Sequence, residues 1–393
     1  MHILESYALQ DNLKIDKPSI YEKFFPMAVQ GKYITLDVST DDGASKYDHW
    51  HMVVDYLVPH LKELGVTIVQ LGDKEDEQLP GCYIAVGQTD INQKAYVIKN
   101  SSLHVSGNNF SLQLASNYGK KIVTLFSNSF YEQFKPYWSK EDDITVLKGN
   151  KNKPSFNPNE FPKTINLIGP EKVAENILRS LGRPYSFAFS TLKVGVLYKH
   201  RRIESSLSHP IADIASLGIE SLIVHLDYNY NLDNLIKQFE LCPCSIVTNK
   251  PIPADIILKY KDKIVEIVYY LEDDNDPSFV TFCIQNGINI GLISRQPKEK
   301  VDQYKINYLD IDKPINIIPE IKLEDIEEIK NINKKKLFFK SNKFLIHDGK
   351  AFAHKLYISY NQPVSSLDHP FLQAVDHRDF WEDKEHFYFV ERK

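Results

Sequence analysis

The chain has 393 residues, of which 42% are hydrophobic and 25% charged, and a formal net charge of −5. This length is enough for two globular domains, and the negative charge argues against a broad nucleic-acid-binding surface. Four cysteines do not make a disulfide scaffold in a chain of this length, and no apolar run approaches a membrane span. With an N-terminus that lacks a signal-peptide layout, the sequence predicts a cytoplasmic protein that does not span a membrane.

Strands and helices alternate in the first half of the chain. A helix at residues 3–10 is followed by a Pro-containing connector. The apolar spacing then predicts strands at 32–38, 66–71 and 83–86, helices at 50–64 and 93–99, and a closing helix at 170–181.

The central stretch reads as strand, helix, strand. Leu103 to Val105 is a short apolar run, and the Ser-Gly-Asn-Asn sequence after it favours a turn that caps a helix. The helix begins at Phe110 and stops near Gly119, and residues 122–126 form a buried strand. This is a parallel βαβ unit, whose strand-to-helix turn offers N–H groups to an anionic ligand.

This stretch resembles the nucleotide-binding half of the ADP-heptose:lipopolysaccharide heptosyltransferases. In that family a strand ends in Val-Gly-Asn-Asp-Ser-Gly, a helix carries Pro-x-His-Leu-Ala, and the next strand ends in Leu-Phe-Gly. The matching segments here are Val105–Ala115, Val123–Ser127 and, upstream, Gly87-Gln88-Thr89. The similarity runs from about the N-terminus to residue 181. It implies that the chain begins where the family's first domain, which holds the catalytic base, has ended.

The resemblance implies a sugar-nucleotide site. By position, Ser39, Thr40 and Lys46 in the loop after the first strand match the residues that hold the diphosphate. Glu75, in the acidic loop after the second strand, is the candidate partner of a ribose hydroxyl, with Asp73 as second choice. The alternatives are an ordinary capped loop with a solvated lysine, and a solvated acidic turn.

The turn after the central strand supplies the remaining candidate ligands, Asn108, Asn109, Phe110 and Gln113. The family has Asp, Ser, Gly and His at those places. The two substituted amides at Asn108 and Gln113 keep hydrogen-bonding ability but lose the charge and the imidazole. The phenyl ring of Phe110 replaces a glycine at which a ligand approaches the backbone, so it either stacks on the ligand or blocks the site.

The second half predicts another parallel α/β domain, with strands at 194–198, 221–226, 245–248, 265–271, 288–293 and 307–311 and short helices between them. Helices are expected at 211–217 and 323–332, and an antiparallel hairpin turns at His347-Asp348-Gly349-Lys350. Asp227 is the candidate catalytic base, since it follows a strand. The basic run 199–202 is a candidate anion site or an exposed turn, and the acidic loop 272–276 a candidate cation site or a solvated loop.

The predicted fold is α/β, with two Rossmann-like parallel-sheet domains of the GT-B type and a small C-terminal β-hairpin extension. The predicted domains are residues 1–185, 186–320 and 321–393. The expected function is transfer of a sugar from a nucleoside-diphosphate sugar to a hydroxyl of an unidentified acceptor such as a glycan. It would need no metal and no dinucleotide cofactor, since no Gly-x-Gly-x-x-Gly turn follows a predicted strand.

Two other functional classes stay open. One is a non-catalytic sugar-nucleotide-binding or scaffold protein with a degenerate site, and the other a nucleotide-sugar-modifying enzyme such as an epimerase. A separate chain that supplies the acceptor domain is a further alternative within the transferase interpretation.

Overall fold

The computed structural model describes residues 1–149, 153–160, 163–211, 214, 221–271, 277–307, 314–317, 334–365, 371–374, 380, 383 and 386–392. The chain divides into two compact units: unit 1 is Met1–Thr191 with Arg392–Lys393, and unit 2 is Leu192–Glu391. The three predicted domains, with their boundaries after residues 185 and 320, stay a prediction.

Unit 1 alternates strands and helices as the sequence predicted. Its strands are β1 Lys32–Asp37, β2 Val66–Leu71, β3 Tyr83–Ile84, β4 His104–Ser106, β5 Ile122–Phe126 and β6 Ile144–Lys148. Its helices are α1 Ile3–Gln10, α2 Trp50–Leu64, α3 Ile91–Asn100, α4 Phe110–Asn117, α5 Tyr131–Phe134 and α6 Pro170–Ser180. Two short 3₁₀ turns occur at Glu141–Asp143 and Thr164–Leu167.

The six strands of unit 1 form one parallel sheet in the order β3-β2-β1-β4-β5-β6. This is the strand order of Rossmann-type sheets, and it reverses direction between β1 and β4. Strands β1, β4 and β5 are buried along nearly their whole length, because helices cover both faces of the sheet. One face packs on α2 and α6 and the other on α3 and α4.

Unit 2 contains the remaining elements. Its strands are β7 Phe189–Val194 (which begins in unit 1), β8 Arg202–Ser205, β9 Ser221–His225, β10 Cys244–Thr248, β11 Ile264–Tyr270, β12 Ile290–Ser294, β13 Ile315–Ile317, β14 Leu337–Ser341, β15 Lys343–His347, β16 Lys350–Phe352, β17 Leu372–Gln373 and β18 His386–Glu391. Its helices are α7 Leu232–Leu241, α8 Ala254–Lys259, α9 Ser278–Gln285, α10 Lys298–Asn307 and α11 Lys355–Ser359, with 3₁₀ turns at Lys261–Lys263 and Lys334–Lys336.

Eight of these strands form a mixed sheet in the order β13-β12-β11-β10-β9-β8-β15-β16, parallel except for the β15–β16 hairpin. The hairpin turns at the predicted place, and both central residues, Asp348 and Gly349, have the positive φ that a type I′ turn requires. The C-terminal part is larger than the predicted hairpin, since β14, β17 and β18 form a second sheet with β7.

One predicted strand of the second half is wrong, and one candidate site lies partly on a strand. The strand expected at 194–198 is β7, which ends at Val194, and residues 195–199 form a turn. The basic run 199–202 is not wholly a turn, because Arg202 begins the interior strand β8. Of the remaining predictions, most of the helix at 211–217, most of the strand at 307–311, the acidic loop at 272–276 and the helix at 323–332 lie outside the described residues.

No helix in the described part of the chain is long and apolar enough to cross a membrane.

Candidate functional site

The candidate site lies in unit 1, where the order of the sheet reverses. β1 and β4 are neighbours, with Asp37 paired to Ser106 at their carboxyl ends. The chain leaves β1 toward α2, which packs with α6 on one face, and leaves β4 toward α4 on the other. The two exit loops therefore diverge and leave a crevice, the usual ligand position in an open α/β sheet.

Asn109 ties these two loops together. Its carboxamide nitrogen donates to the backbone oxygen of Ser39, 3.0 Å away in the loop after β1. Its oxygen accepts from the N–H of Leu112 at 3.1 Å and from the hydroxyl of Ser111 at 2.8 Å. Asn109 is thus the N-cap of α4, as its sequence position predicted, and it also fixes the distance between the two loops.

A buried histidine contacts this cap through the hydroxyl of Ser111. His104 on β4 contacts the hydroxyl of Thr35 through Nδ1 at 2.9 Å and that of Ser111 through Nε2 at 3.1 Å. Because Ser111 gives its proton to Asn109, Nε2 donates to Ser111, and in the neutral ring Nδ1 accepts from Thr35. Burial lowers the pKa of His104 to about 3, which agrees with a neutral ring.

The carboxyl end of β1 carries a buried acid. The carboxylate of Asp37 accepts from the backbone N–H and the hydroxyl of Ser39, at 3.1 and 2.6 Å. The ammonium of Lys94 on α3 lies 3.8 Å from this carboxylate and 3.3 Å from that of Asp73. Asp37 therefore shapes the first turn of the exit loop, and Lys94 offsets its charge.

A second set of polar contacts closes the loop after β1. The Asp42 carboxylate accepts from the N–H of Ser45 at 2.7 Å and from the carboxamide of Asn128 at 3.1 Å. The hydroxyl of Ser45 donates to the oxygen of Asn128 at 3.0 Å. Since Asn128 directly follows the exit of β5, three strands contribute to one polar edge.

The predicted diphosphate ligands lie on this loop. The Ser39 hydroxyl donates to Asp37, and the Thr40 hydroxyl donates to the backbone oxygen of Asp42 at 3.0 Å. Both hydroxyl protons are therefore engaged within the loop. Lys46 is exposed.

The turn between β4 and α4 holds the next two candidates. Asn108 is half-buried, and Phe110, the first residue of α4, is 56% exposed. The first-turn N–H groups of Phe110 and Ser111 have no acceptor within the helix, as at every helix start. The phenyl ring thus stands beside the donors that an anion would use.

Gln113 has a different environment from its neighbours in the turn. Its carboxamide nitrogen donates to the backbone oxygens of Phe134 at 3.1 Å and Lys135 at 3.4 Å. Its oxygen accepts from the N–H of Tyr137 at 3.5 Å. The side chain holds the segment after α5 in place, which is a contact that its helical position did not predict.

Glu75 is exposed in the loop after β2. Gly87, in the Gly-Gln-Thr sequence, packs directly against that loop: its N–H donates to Gly72 at 3.1 Å, and a Cβ would lie 2.9 Å from the Cα of Lys74. With a φ of +67° as well, this position favours glycine for close approach and conformation.

A cavity of about 330 Å³ opens at the carboxyl ends of β5 and β6. Its lining includes Phe126, Phe130, Tyr131 and Lys148. The Lys148 ammonium lies 5.2 Å from the centre of the Tyr131 ring, a cation–π distance. Aromatic and cationic groups therefore border the candidate site on the β5 side.

Asp227, the candidate base, lies in unit 2, directly after β9. One of its carboxylate oxygens is 2.9 Å from Nδ1 of His225. Burial opposes the charged form of His225, but the carboxylates of Glu204 and Asp227 outweigh it and raise the pKa of His225 to about 9. Asp227 is thus paired with a protonated histidine at neutral pH.

The sequence did not point to several residues that build the site, among them Asp37, Lys94, His104 and Asn128. Asp37 ends a strand, a position that carries function in such sheets, and this was the available signal. The other three contact partners far along the chain; Asn128 and Asp42 are 86 positions apart.

No family model and no curated protein matches the chain. Among solved structures, the heptosyltransferase II of E. coli, an ADP-heptose LPS enzyme, shares 19% identity over 45% of this chain and 50% of its own, with a TM-score of 0.31. A family 9 glycosyltransferase of Veillonella parvula shares 14% over the same fractions, with a TM-score of 0.31. The E. coli glycosyltransferase TibC shares 14% over 42% of this chain and 49% of its own, with a TM-score of 0.33.

A further TibC structure contains ADP-D-β-D-heptose. The matched region is about half the length of each of these proteins. The α/β fold with parallel sheets follows from the strand pairing of this chain itself.

Proposed function

We propose that unit 1 binds a nucleoside-diphosphate sugar at the strand-order reversal between β1 and β4, and that the chain acts as a glycosyltransferase. One observation carries the proposal: Asn109 holds the exit loop of β1 against the start of α4, with an N–O distance of 3.0 Å to Ser39. This forms one polar edge at the place where open α/β sheets bind nucleotides.

The diphosphate is assigned to the start of α4 and to Lys46. N–H groups of the first helical turn and an ammonium both favour phosphate oxygens. Asn108, in the turn before α4, adds a carboxamide donor. Ser39 and Thr40 contribute less as donors, since their protons are engaged by Asp37 and Asp42.

The nucleoside is assigned to the aromatic side of the same edge. The cavity of about 330 Å³ at the carboxyl ends of β5 and β6 is lined in part by Phe130 and Tyr131, which suit a flat base. Glu75 follows β2, three strands away from β5 on the other side of the strand-order reversal. It is the proposed partner of a ribose hydroxyl in the opposite orientation of the ligand, with the nucleoside on the β2 side.

The proposed reaction joins an acceptor hydroxyl oxygen to the anomeric carbon of the sugar. The bond from that carbon to the diphosphate oxygen breaks, and a base takes the hydroxyl proton. Positive groups at the start of α4 and Lys46 would stabilise the departing diphosphate.

A second candidate function is a binding or scaffold protein without catalysis. It is favoured by the phenyl ring of Phe110 beside the anion donors and by the engagement of Gln113 with the segment after α5. In that case the ring fills part of a site that no longer accepts the nucleotide.

Calorimetric titration of the full chain with ADP, UDP, GDP and their sugars tests the proposal. We expect one nucleotide to bind, and Lys46→Ala to weaken it by about 1–3 kcal/mol, the range of a lost charge-assisted contact. Lys172→Ala, an exposed lysine on α6, is the matched control and should bind as the wild type does. No binding of any nucleotide, or equal affinities for both variants, would reject the assigned site.

A further inference from the structure

Unit 2 contains a row of buried charges that the proposed nucleotide site does not use. Glu204 on β8 pairs in register with Ile223 on β9 and with Leu345 on β15. Side chains two positions apart share a sheet face, so His225 and Lys343 lie on the same face as Glu204. His225 Nε2 is 3.3 Å from Glu204, and Lys343 Nζ is 3.4 Å from its other oxygen.

The row continues beyond both ends of this trio. On one side Lys343 Nζ is 2.6 Å from Asp383, whose second oxygen is 3.0 Å from Nε2 of His354 and 3.3 Å from Nε2 of His386. On the other side His225 Nδ1 is 2.9 Å from Asp227. Acidic and basic groups thus alternate from the second sheet of unit 2 to the carboxyl end of β9.

Such a row is expensive to bury. Taking each ion out of water costs several kcal/mol, and apolar side chains of similar volume often serve stability equally well. Burial opposes the charge of Glu204, yet Lys343 and His225 lower the pKa of Glu204 to about 2. Titratable groups with strongly shifted pKa values at a strand end are typical of functional sites.

Aromatic side chains lie beside the Asp227 end of the row. The Tyr228 ring stacks on His225 with a centroid distance of 4.3 Å and an interplanar angle of 12°, and is 43% exposed. Tyr270, at the end of β11, carries the Arg295 guanidinium 5.4 Å from its ring centre. These groups follow β9, β11 and β12 at the carboxyl edge of the sheet.

We propose that this edge of unit 2, with Asp227, Tyr228, Tyr270 and Arg295, is a second ligand site and binds a pyranose sugar. A carboxylate accepts hydrogen bonds from neighbouring hydroxyls of one sugar ring, and guanidinium and phenol groups donate to its oxygens. The exposed face of Tyr228 offers a flat apolar surface to the C–H face of the same ring.

The buried row explains why the site is rigid. Asp227 is oriented by His225, which is fixed in turn by Glu204, and the stacked imidazolium sets the plane of Tyr228. Preorganised side chains lose little entropy when a ligand binds. Sugar binding stands on this geometry alone; identification of the sugar as part of the acceptor rests on the proposed function.

Saturation-transfer NMR of the full chain with methyl glycosides tests the site. The probes are the α- and β-methyl glycosides of glucose, galactose, mannose, N-acetylglucosamine and glucuronic acid, each at millimolar concentration. Glucuronic acid is the acidic sugar of the set, and the others are neutral. We expect at least one to bind, and Tyr228→Ala and Asp227→Asn to weaken it at least tenfold. Tyr360→Ala, a 56% exposed tyrosine beside α11, should leave the affinity unchanged.

Nucleotide titrations of the same variants separate the two proposals. Loss of sugar binding with unchanged nucleotide affinity supports both sites. Sugar binding without any nucleotide binding rejects only the proposed function. If no probe binds, or if all three variants bind the probe alike, the second site is overturned. Calorimetric unfolding of Asp227→Asn, compared with that of the wild type, shows whether the variant is folded.

Discussion

Two buried histidines, each on an interior strand with parallel neighbours in the sheet of its unit, carry opposite charge states. His104 in unit 1 contacts the hydroxyls of Thr35 and Ser111. His225 in unit 2 contacts the carboxylates of Glu204 and Asp227. Burial disfavours the imidazolium in both, so the pKa of His104 falls to about 3, whereas the two carboxylates raise that of His225 to about 9.

The difference shows how each unit builds the edge of its sheet. In unit 1 a chain of neutral hydrogen bonds runs from Thr35 to Ser39. The carboxylates at this edge, Asp37 and Asp42, accept hydrogen bonds from Ser39 and Ser45. In unit 2 alternating ions fix the edge, at a desolvation cost that only complete pairing offsets. The two edges should therefore respond differently to mutation and to pH.

The largest expected effect comes from breaking the ion row of unit 2. Lys343→Ala leaves Glu204 and Asp383 buried without their shared cation, which should cost about 3–5 kcal/mol. Denaturant unfolding and calorimetry should both show a less stable unfolding transition for unit 2 and an unchanged transition for unit 1. Lys305→Ala removes an exposed ion pair of 2.7 Å in the same unit and is the control, with a loss below about 1 kcal/mol. Equal losses for both lysines would show that the row is not a buried network.

The pH dependence should have opposite signs in the two units. The lowered pKa of His104 means that the unfolded state binds its proton first, so this stability is lost as the pH falls from about 6.5 to about 3. The raised pKa of His225 means that its contribution is complete below about 6.5 and is lost as the pH rises through about 9.

Between pH 5 and 9 each contribution should change the free energy of unfolding by about 2–3 kcal/mol. Calorimetric scans between pH 5 and 9 measure them, with His104→Gln and His225→Gln as the variants that flatten the respective slopes. Because Glu204 has a pKa lowered to about 2, its contribution is lost only as the pH falls from about 4.5 to 2, outside this range. An unchanged slope in His225→Gln would contradict the charged state assigned to that residue.

Removing the N-cap of α4 should have a moderate effect. Asn109→Ala loses the cap to Leu112 and the contact to Ser39, at about 1–2 kcal/mol of stability. Asn109→Asp keeps the capping oxygen but loses the amide donor, so it separates the two contacts. If the aspartate variant matches the wild type both in stability and in nucleotide affinity, the contact with Ser39 does not shape the site.

The smallest effect expected on stability is that of Phe110→Gly, about 1 kcal/mol or less, because the ring is 56% exposed. Its value lies in the sign of the change in nucleotide affinity. A ring that stacks on the ligand contributes about 1 kcal/mol or more, so its removal weakens binding. A ring that blocks a decayed site has the opposite effect, and improved binding in the glycine variant would favour the scaffold interpretation.

The sequence predicted those parts of the fold that local patterns determine. Helix α2 and strand β2 have the predicted bounds, because the apolar spacing is regular and Gly65 ends the helix with a φ of +61°. Strand β6 was missed, since it is half-buried and follows a loop rich in polar residues. Strand β8 was missed because its basic start is characteristic of an exposed turn.

The site was predictable only in outline. The turn Asn108–Phe110 follows a strand and starts a helix, so its position could be derived from sequence. The contacts that shape it could not, since His104 meets a hydroxyl 69 positions away and Asn109 a carbonyl 70 positions away. The ion row of unit 2 joins three strands and the C-terminal part, a distribution that no local pattern records.

Hydrogen exchange of the full chain with and without a saturating nucleoside diphosphate tests the central claim most directly. Ligand at the strand-order reversal of unit 1 should slow exchange in peptides that cover residues 39–46 and 107–113, where the two exit loops meet. Peptides from unit 2 should exchange as before. Protection confined to other segments, or none at all under conditions where the nucleotide binds, would contradict the assignment of the site.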